Sequence, residues 1–131
     1  MLSKLIRIQK FNDGLRLIAN FSLNGNNIVA LIDTGASANY FCSSLDFLEL
    51  NKKDYVNVVG FTGHNKRSYG VKPFTTDLFS LKFENFYALD LQHLEVNCVL
   101  GIKFLIDNGI VLDVPNYSYE KISSVNFNTE Q

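Results

Sequence analysis

The most constraining feature of the sequence is an apolar run, residues 28–32, that leads directly into Asp33-Thr34-Gly35. Branched aliphatic side chains in such a run are typical of a buried β-strand. Asp and Gly immediately after the run favour a tight turn. Asn24-Gly25, just before the run, tolerates the positive φ angles of a tight hairpin turn. The sequence therefore predicts a hairpin whose second strand delivers a carboxylate to a turn.

Most of the chain has the pattern of short strands separated by turns, and we expect one all-β domain spanning residues 1–131. Apolar residues make up 47% of the chain and aromatic residues 13%, which favours a globular β-rich fold. Residues 43–50 resemble a short helical turn that Ser43 or Ser44 would cap, and residues 51–54 would end it. A strand at 74–83 is expected to form a hairpin with 86–91. Further strands are expected near 5–11, 15–23, 38–42, 55–61, 110–113 and 117–125.

A glycine-rich polar segment, residues 60–70, lies between two β-prone runs at 55–59 and 71–76. This composition is typical of a mobile hairpin or loop. By itself the segment fits an ordinary surface hairpin equally well.

A second apolar run, residues 96–100, ends at Gly101 and precedes a helical pattern over 102–108 that Gly109 would terminate. Residues 105–110 partly repeat the first motif. Asn108 stands where that motif has a hydroxyl residue, and a helix end explains the segment better. A two-lobed monomer with two such motifs is therefore not expected.

The motifs Asp33-Thr34-Gly35-Ala36-Ser37 and Val99-Leu100-Gly101, with a glycine-rich hairpin between them, occur in the order found in retropepsin-like aspartic proteases. The chain resembles that family over roughly residues 15–115. The resemblance implies an all-β fold, a closed acid-protease β-barrel with one short C-terminal helix. It implies that residues 60–70 are the flap that closes over bound peptide, and that both termini are candidate dimer-interface strands. It also implies that two loops cross at Gly101, where a side chain would clash.

The resemblance implies an aspartic endopeptidase, in which water is held between two aspartates that share one proton. Because the chain has one Asp-Thr-Gly, a second copy must supply the second carboxylate, and we expect a two-fold symmetric homodimer. Ala36 offers the aspartates no hydroxyl, which predicts an optimum nearer neutral pH than in two-lobed enzymes. Two alternatives stay open: a catalytically silent dimerisation or peptide-binding module, and a domain excised from a longer polyprotein.

The expected site residues fall into three groups. The catalytic group is Asp33, Thr34 and Gly35, in which Thr34 bonds across the dimer and Gly35 lets substrate approach closely. The substrate-binding group is Ala36, Gly60, Phe61, Thr62, Gly63 and Val99. Ile32 is a further pocket candidate, and core packing is an equal alternative for Ile32, Phe61 and Val99. The structural group near the site is Ser37, Leu100 and Gly101. A peptide or protein substrate is expected to bind as an extended strand, without metal or organic cofactor.

Charge and composition argue against several other classes. The net charge of −1 gives no basic excess for nucleic acid or a membrane surface. The first residues are too charged for a signal peptide and no apolar stretch is long enough to span a membrane, so a cytoplasmic location is favoured. Cys42 and Cys98 lack metal-site spacing, and two buried thiols are favoured over a disulfide. Neither His64 nor His93 accompanies a nucleophile motif, so a Ser/His/Asp hydrolase is not expected.

Overall fold

The computed structural model describes residues 6–11, 14–59, 63, 65–76, 81–113 and 118–121. Within them the chain is mostly β-sheet with one short α-helix, as the all-β prediction requires. A 3₁₀ turn at Gln92–Leu94 is the one other helical element among these residues. In chain order the elements are β1 (Ile6–Phe11), β2 (Gly14–Leu23), β3 (Asn26–Asp33), β4 (Asn39–Cys42), β5 (Leu50–Val59), β6 (Asn65–Val71), β7 (Phe74–Thr75), β8 (Lys82–Phe83), β9 (Phe86–Leu89), β10 (Cys98–Gly101), α1 (Ile102–Asp107), β11 (Ile110–Asp113) and β12 (Ser118–Lys121).

Eight strands form one sheet in the order β1-β2-β3-β10-β4-β9-β6-β5. β10 pairs in parallel with β3 and antiparallel with β4, so it lies between two strands that are consecutive in sequence. β4 pairs in parallel with β9, and β9 pairs antiparallel with β6. The connection from β3 to β4 must therefore step across the end of β10.

The closed barrel expected from the sequence is not formed by the residues that the structure describes. Their large sheet is open, with β1 at one edge and β5 at the other. The β5 edge carries Lys52, Lys53 and Asp54, and its register with β6 shifts between Asn51 and Tyr55. Charged side chains and bulges of this kind keep an edge strand from pairing. The pairs β7–β8 and β11–β12 form two separate small sheets.

Two apolar clusters pack on the two faces of the large sheet. The larger cluster contains buried phenylalanines, among which Phe41 stacks on Phe86 with 4.5 Å between ring centroids. The smaller cluster contains Val99 and the half-buried Leu31. Because side chains alternate along a strand, Ile32 points into the larger cluster while Leu31 points to the other face.

Several local predictions are confirmed. Asn24 and Gly25 have φ angles of 49° and 79°, as the tight hairpin between β2 and β3 requires. The helix begins at Ile102 and ends at Asp107, one residue before the predicted end, and Gly109 has a φ of 60°. Both cysteines are buried free thiols. Of the final strand predicted at 117–125, the structure describes β12, which pairs with β11, and the rest lies outside the described residues.

Other local predictions are wrong, because tertiary packing outweighs local preference. Residues 43–49 form turns and irregular backbone instead of a helix, since Phe47 and Leu48 pack against the larger cluster, and Leu50 already belongs to β5. Residues 51–54 do not end an element but belong to β5. The predicted hairpin of 74–83 with 86–91 is not formed, because β7 pairs with β8 while β9 pairs with β4 and β6.

No helix in the described part of the chain has the length and apolar character needed to cross a membrane.

Candidate active site

Asp33 is the last residue of β3, and its own turn holds it in place. The Ala36 N–H donates to the Asp33 backbone oxygen at 3.0 Å, which closes a four-residue turn. The Gly35 N–H donates to Asp33 Oδ1, also at 3.0 Å. Asp33, Thr34 and Gly35 are all exposed. The turn thus presents a carboxylate and a hydroxyl together on the surface of the molecule.

The turn lies directly over the end of β10. Gly101 is the register partner of Asp33, and the Ile102 N–H donates to the Ala36 backbone oxygen at 3.1 Å. A Cβ atom on Gly101 would lie 2.6 Å from the Ala38 oxygen and 2.7 Å from the Ala36 oxygen. Such distances are too short for real Cβ contacts, so only glycine fits without moving the backbone. The close crossing predicted at Gly101 is confirmed.

A buried amide, Asn39, holds the crossing from the other side. Its Oδ1 accepts the Gly101 N–H at 2.8 Å, and its Nδ2 donates to the Glu84 and Asn85 backbone oxygens at 3.4 and 3.5 Å. The side chain is fully buried, so these bonds satisfy polar groups that water does not reach. Asn39 is not among the site residues predicted from the sequence. The available signal was an amide at the start of the apolar strand 38–42, where a polar side chain needs a specific partner.

A second amide, Asn97, lies just before β10, at the opposite end of that strand, and joins it to β3 and β4. Its Oδ1 accepts the Val29 N–H at 2.7 Å and its Nδ2 donates to the Asn27 oxygen at 2.9 Å. Its backbone oxygen accepts the Cys42 N–H at 2.8 Å. Asn97 was also missed, because it lies in a polar connector and nothing local indicates partners about 70 residues away.

The face of the sheet that carries Asp33 presents a row of side chains across five strands. On β3, Leu31 is the register partner of Val99 on β10, and Val99 is in turn the partner of Tyr40 on β4. Tyr40 is the partner of Tyr87 on β9, which is the partner of Gly70 on β6. Register partners share a face, and Asp33 lies two residues beyond Leu31 on that face. Val99 is 5% exposed and Leu31 is half-buried. Leu31 is thus the neighbour of Asp33 on this face, and Ile32, proposed as a pocket residue, belongs to the core.

A hairpin is present here, but its second strand, β6, lies within the predicted loop 60–70 and not at 71–76, and it pairs antiparallel with β5. β5 is exposed over most of its length and β6 over its first three residues, and Gly63 near the tip has a φ of 79°. The Arg67 guanidinium lies 4.5 Å from the centre of the Tyr55 ring. Three predicted substrate contacts, Gly60, Phe61 and Thr62, lie outside the described residues.

The remaining predicted residues divide between surface and core. Ser37 is exposed, Ala36 is half-buried, and Leu100 is 5% exposed within the larger cluster. Among the described residues, no three His, Cys, Asp or Glu side chains come together in a way that would hold a metal ion.

The pKa values of three side chains near this region are shifted. Burial raises the pKa of the Tyr87 phenol, and the neighbouring Asp54 carboxylate, which accepts its hydrogen bond, raises that pKa further. Burial also raises the pKa of Cys98 well above its ordinary value of 9.0. For Cys42 burial acts in the same direction, but hydrogen bonds with the Ser44 side chain and with the backbone at Leu91 and Ser44 outweigh it and lower the pKa.

A sizeable cavity in the described part of the chain lies away from Asp33. It has a volume of about 580 Å³ and its lining includes Leu23, Asn24 and Phe74. Leu23 and Asn24 lie at the turn before β3, whereas Asp33 ends that strand. At about 3.3 Å per residue the two places are roughly 25 Å apart. Asp33 itself is exposed on the surface of the molecule, away from this cavity.

No protein-family model, curated protein or solved structure matches this chain.

Proposed function

We propose that the chain is a retropepsin-like aspartic endopeptidase that works as a homodimer, with the water that attacks the peptide bond held between two Asp33 carboxylates. One observation carries the proposal: the chain directly after the exposed Asp33-Thr34-Gly35, at Ala36 and Ala38, crosses the end of β10 so closely that Gly101 has no room for a side chain. A turn that only reversed the chain would not need this crossing. The crossing fixes the carboxylate on a buried, hydrogen-bonded support, as a catalytic group requires.

The same geometry supports the dimer. One carboxylate cannot be both the ionised base and the protonated acid of the reaction. Asp33 and Thr34 are exposed at the end of β3, where a second copy related by a two-fold axis can approach with its own turn. In the dimer one Asp33 accepts a proton from water while the other donates to the scissile carbonyl. Thr34 of each copy bonds across the axis and keeps the carboxylates together.

Substrate binds between the Asp33 face of the sheet and the β5–β6 hairpin, which acts as the flap. The row of Leu31, Val99 and Tyr40 supplies an apolar floor beside the carboxylate. An extended peptide uses its backbone groups for recognition, and the hairpin and the Gly35 carbonyl offer partners for them. In this proposal the fold is the retropepsin-like one, in an open form within the described residues.

The test is digestion of a peptide library by the wild-type chain and by Asp33→Asn, with Asp46→Asn as the matched control because Asp46 is an exposed acid in a turn. Cleavage by the wild type and the control, and loss of cleavage by Asp33→Asn with an unchanged sedimentation profile, is the expected result. Mixing equal amounts of wild type and Asp33→Asn and allowing exchange should leave each wild-type chain about half as active, since mixed dimers lack one carboxylate. Cleavage that persists in Asp33→Asn, or full activity in a strictly monomeric sample, would refute the proposal. A folded wild-type dimer that binds peptides without cutting them would favour a binding module instead.

A further inference from the structure

The β5–β6 hairpin joins the large sheet through a narrow base. β6 pairs with β9 at one register position, Gly70 with Tyr87. Next to this position the buried Ser68 hydroxyl donates to the Ala88 backbone oxygen at 2.6 Å. Beyond the base, the hairpin strands are largely exposed. A few contacts at the base therefore determine the angle at which the hairpin leaves the sheet.

Asp54 lies over this base. It lies in the stretch of β5 where the register with β6 shifts, between Asn51 and Tyr55. A Cβ atom on Gly70 would lie 3.0 Å from Asp54 Cγ and closer still to Oδ2, so the Asp54 side chain occupies the space that Gly70 leaves free. Tyr87 is the register partner of Gly70, so its side chain lies on the same face as the Asp54 carboxylate above Gly70, to which the Tyr87 hydroxyl donates a hydrogen bond. This bond connects β5 directly to β9, across β6, which lies between them in the sheet.

The bond also lies on the face of the large sheet that carries Asp33. Tyr87 continues the row that begins at Leu31 next to Asp33 and passes through Val99 and Tyr40. Asp54 extends the same row by one strand, at the position of the missing Gly70 side chain. A change in the bond therefore changes the position of the hairpin relative to the surface that presents the catalytic carboxylate.

We propose that Asp54 and Tyr87 are positioning residues, whose hydrogen bond over Gly70 sets the angle of the β5–β6 hairpin and holds it over the Asp33 face for peptide binding. This inference rests on the proposed function, because it assigns the pair a role in substrate binding. The pair acts through the hairpin and touches no reacting atom. Its loss weakens substrate binding and leaves the chemical step nearly unchanged.

The kinetic test uses Tyr87→Phe and Asp54→Ala, which each remove one partner of the bond, and Gly70→Ala, whose methyl group displaces the Asp54 side chain. We expect KM for a cleaved peptide to rise about tenfold while kcat stays within about twofold. Asp54→Asn keeps an acceptor oxygen and should restore most of the binding. The double variant Tyr87→Phe with Asp54→Ala should be no worse than either single variant. The matched controls are Tyr69→Phe, which removes a hydroxyl from the same hairpin, and Asp46→Ala, which removes an exposed acid elsewhere.

A second measurement does not depend on activity. Amide hydrogen exchange in 55–59 and 65–69 should become faster in Tyr87→Phe and Asp54→Ala, while exchange in β2 and β3 stays unchanged. If the wild type cleaves no peptide, the proposed function fails, and the exchange still shows whether the pair holds the hairpin. Unchanged exchange in Tyr87→Phe and Asp54→Ala overturns the positioning role, and so does an active enzyme whose KM does not change. If Gly70→Ala does not fold, Tyr87→Phe alone decides, since it removes a single oxygen atom.

Discussion

Replacing Gly101 with alanine tests the crossing on which the candidate site is built. The added methyl group would meet the backbone oxygens of Ala38 and Ala36 at 2.6 and 2.7 Å, and Asn39 Oδ1 at 3.2 Å. Flexible side chains relieve such clashes at little cost, but two of these three atoms belong to the backbone. The turn that carries Asp33 must therefore shift away from β10, and it must stretch the bond between the Ile102 N–H and the Ala36 oxygen.

The expected cost follows from two opposing effects. Forcing a methyl group into a close-packed site typically costs about 1–3 kcal/mol. Gly101 has a φ of −84° and a ψ of 179°, which alanine adopts freely. Alanine also lowers the conformational entropy of the unfolded chain, and this offsets about 0.5 kcal/mol of the cost. We therefore expect the free energy of unfolding to fall by about 1–2 kcal/mol and the melting temperature by about 5 °C. Peptide cleavage should fall much further, because a shift of about 1 Å in a catalytic group costs roughly a hundredfold in rate.

Urea unfolding, followed by far-ultraviolet circular dichroism, measures the stability change, and both chains are compared at the same protein concentration because association of chains adds to apparent stability. Gly25→Ala is the contrasting control. Its methyl group would meet nothing within 4 Å, but its φ of 79° strains any side chain. That variant should lose about 1 kcal/mol of stability and keep its activity. If Gly101→Ala is within about 0.5 kcal/mol of the wild type and equally active, the close crossing does not govern the site.

Three further predictions concern single side chains near the crossing. Asn39→Leu keeps a similar side-chain volume but leaves the buried Gly101 N–H without its acceptor. Urea unfolding should therefore show a free energy of unfolding lower by about 2 kcal/mol. An unchanged free energy would contradict the role of the amide. Cys98 stays un-ionised in the folded state while the unfolded thiol ionises near its ordinary pKa of 9.0. Its burial therefore adds no pH dependence below that value, and stability falls as pH rises above it. Cys98→Val should lessen this loss in urea unfolding at pH 10 relative to pH 7. Ala36→Ser adds a hydroxyl beside the Asp33 turn, so the acid limb of the pH–rate profile should move to lower pH; a wild-type optimum near pH 2 or 3 would contradict the basis of this prediction.

The parts of the site that were predictable depend on residues close together in sequence. The apolar run before Asp33 and the Asn24-Gly25 turn specify a hairpin that ends in an acid. Gly101 between an apolar run and a helical pattern indicates a close approach of backbone. In each case neighbouring residues determine the conformation, and the structure agrees with them.

The parts that were not predictable depend on partners far away in the chain. Asn39 and Asn97 are ordinary polar residues until folding brings backbone groups 45 to 70 positions away beside them. The helical preference of 43–50 is overridden because Phe47 and Leu48 pack into the core. The bulge near Asp54 depends on how β5 meets β6, and no local pattern marks it. The order of strands in the sheet determines which side chains become neighbours, and that order is a property of the whole chain.

The parallel pairing of β10 between β3 and β4 has a consequence for how the molecule is made. β3 and the Asp33 turn leave the ribosome before the strand that supports them, which lies 68 residues further along the chain. Pairing between such distant segments closes a large loop and is slow compared with hairpin formation. The β2–β3 hairpin should therefore form first, and the carboxylate should reach its final position only when β10 inserts. A chain still being synthesised would then carry Asp33 for some time without a working site.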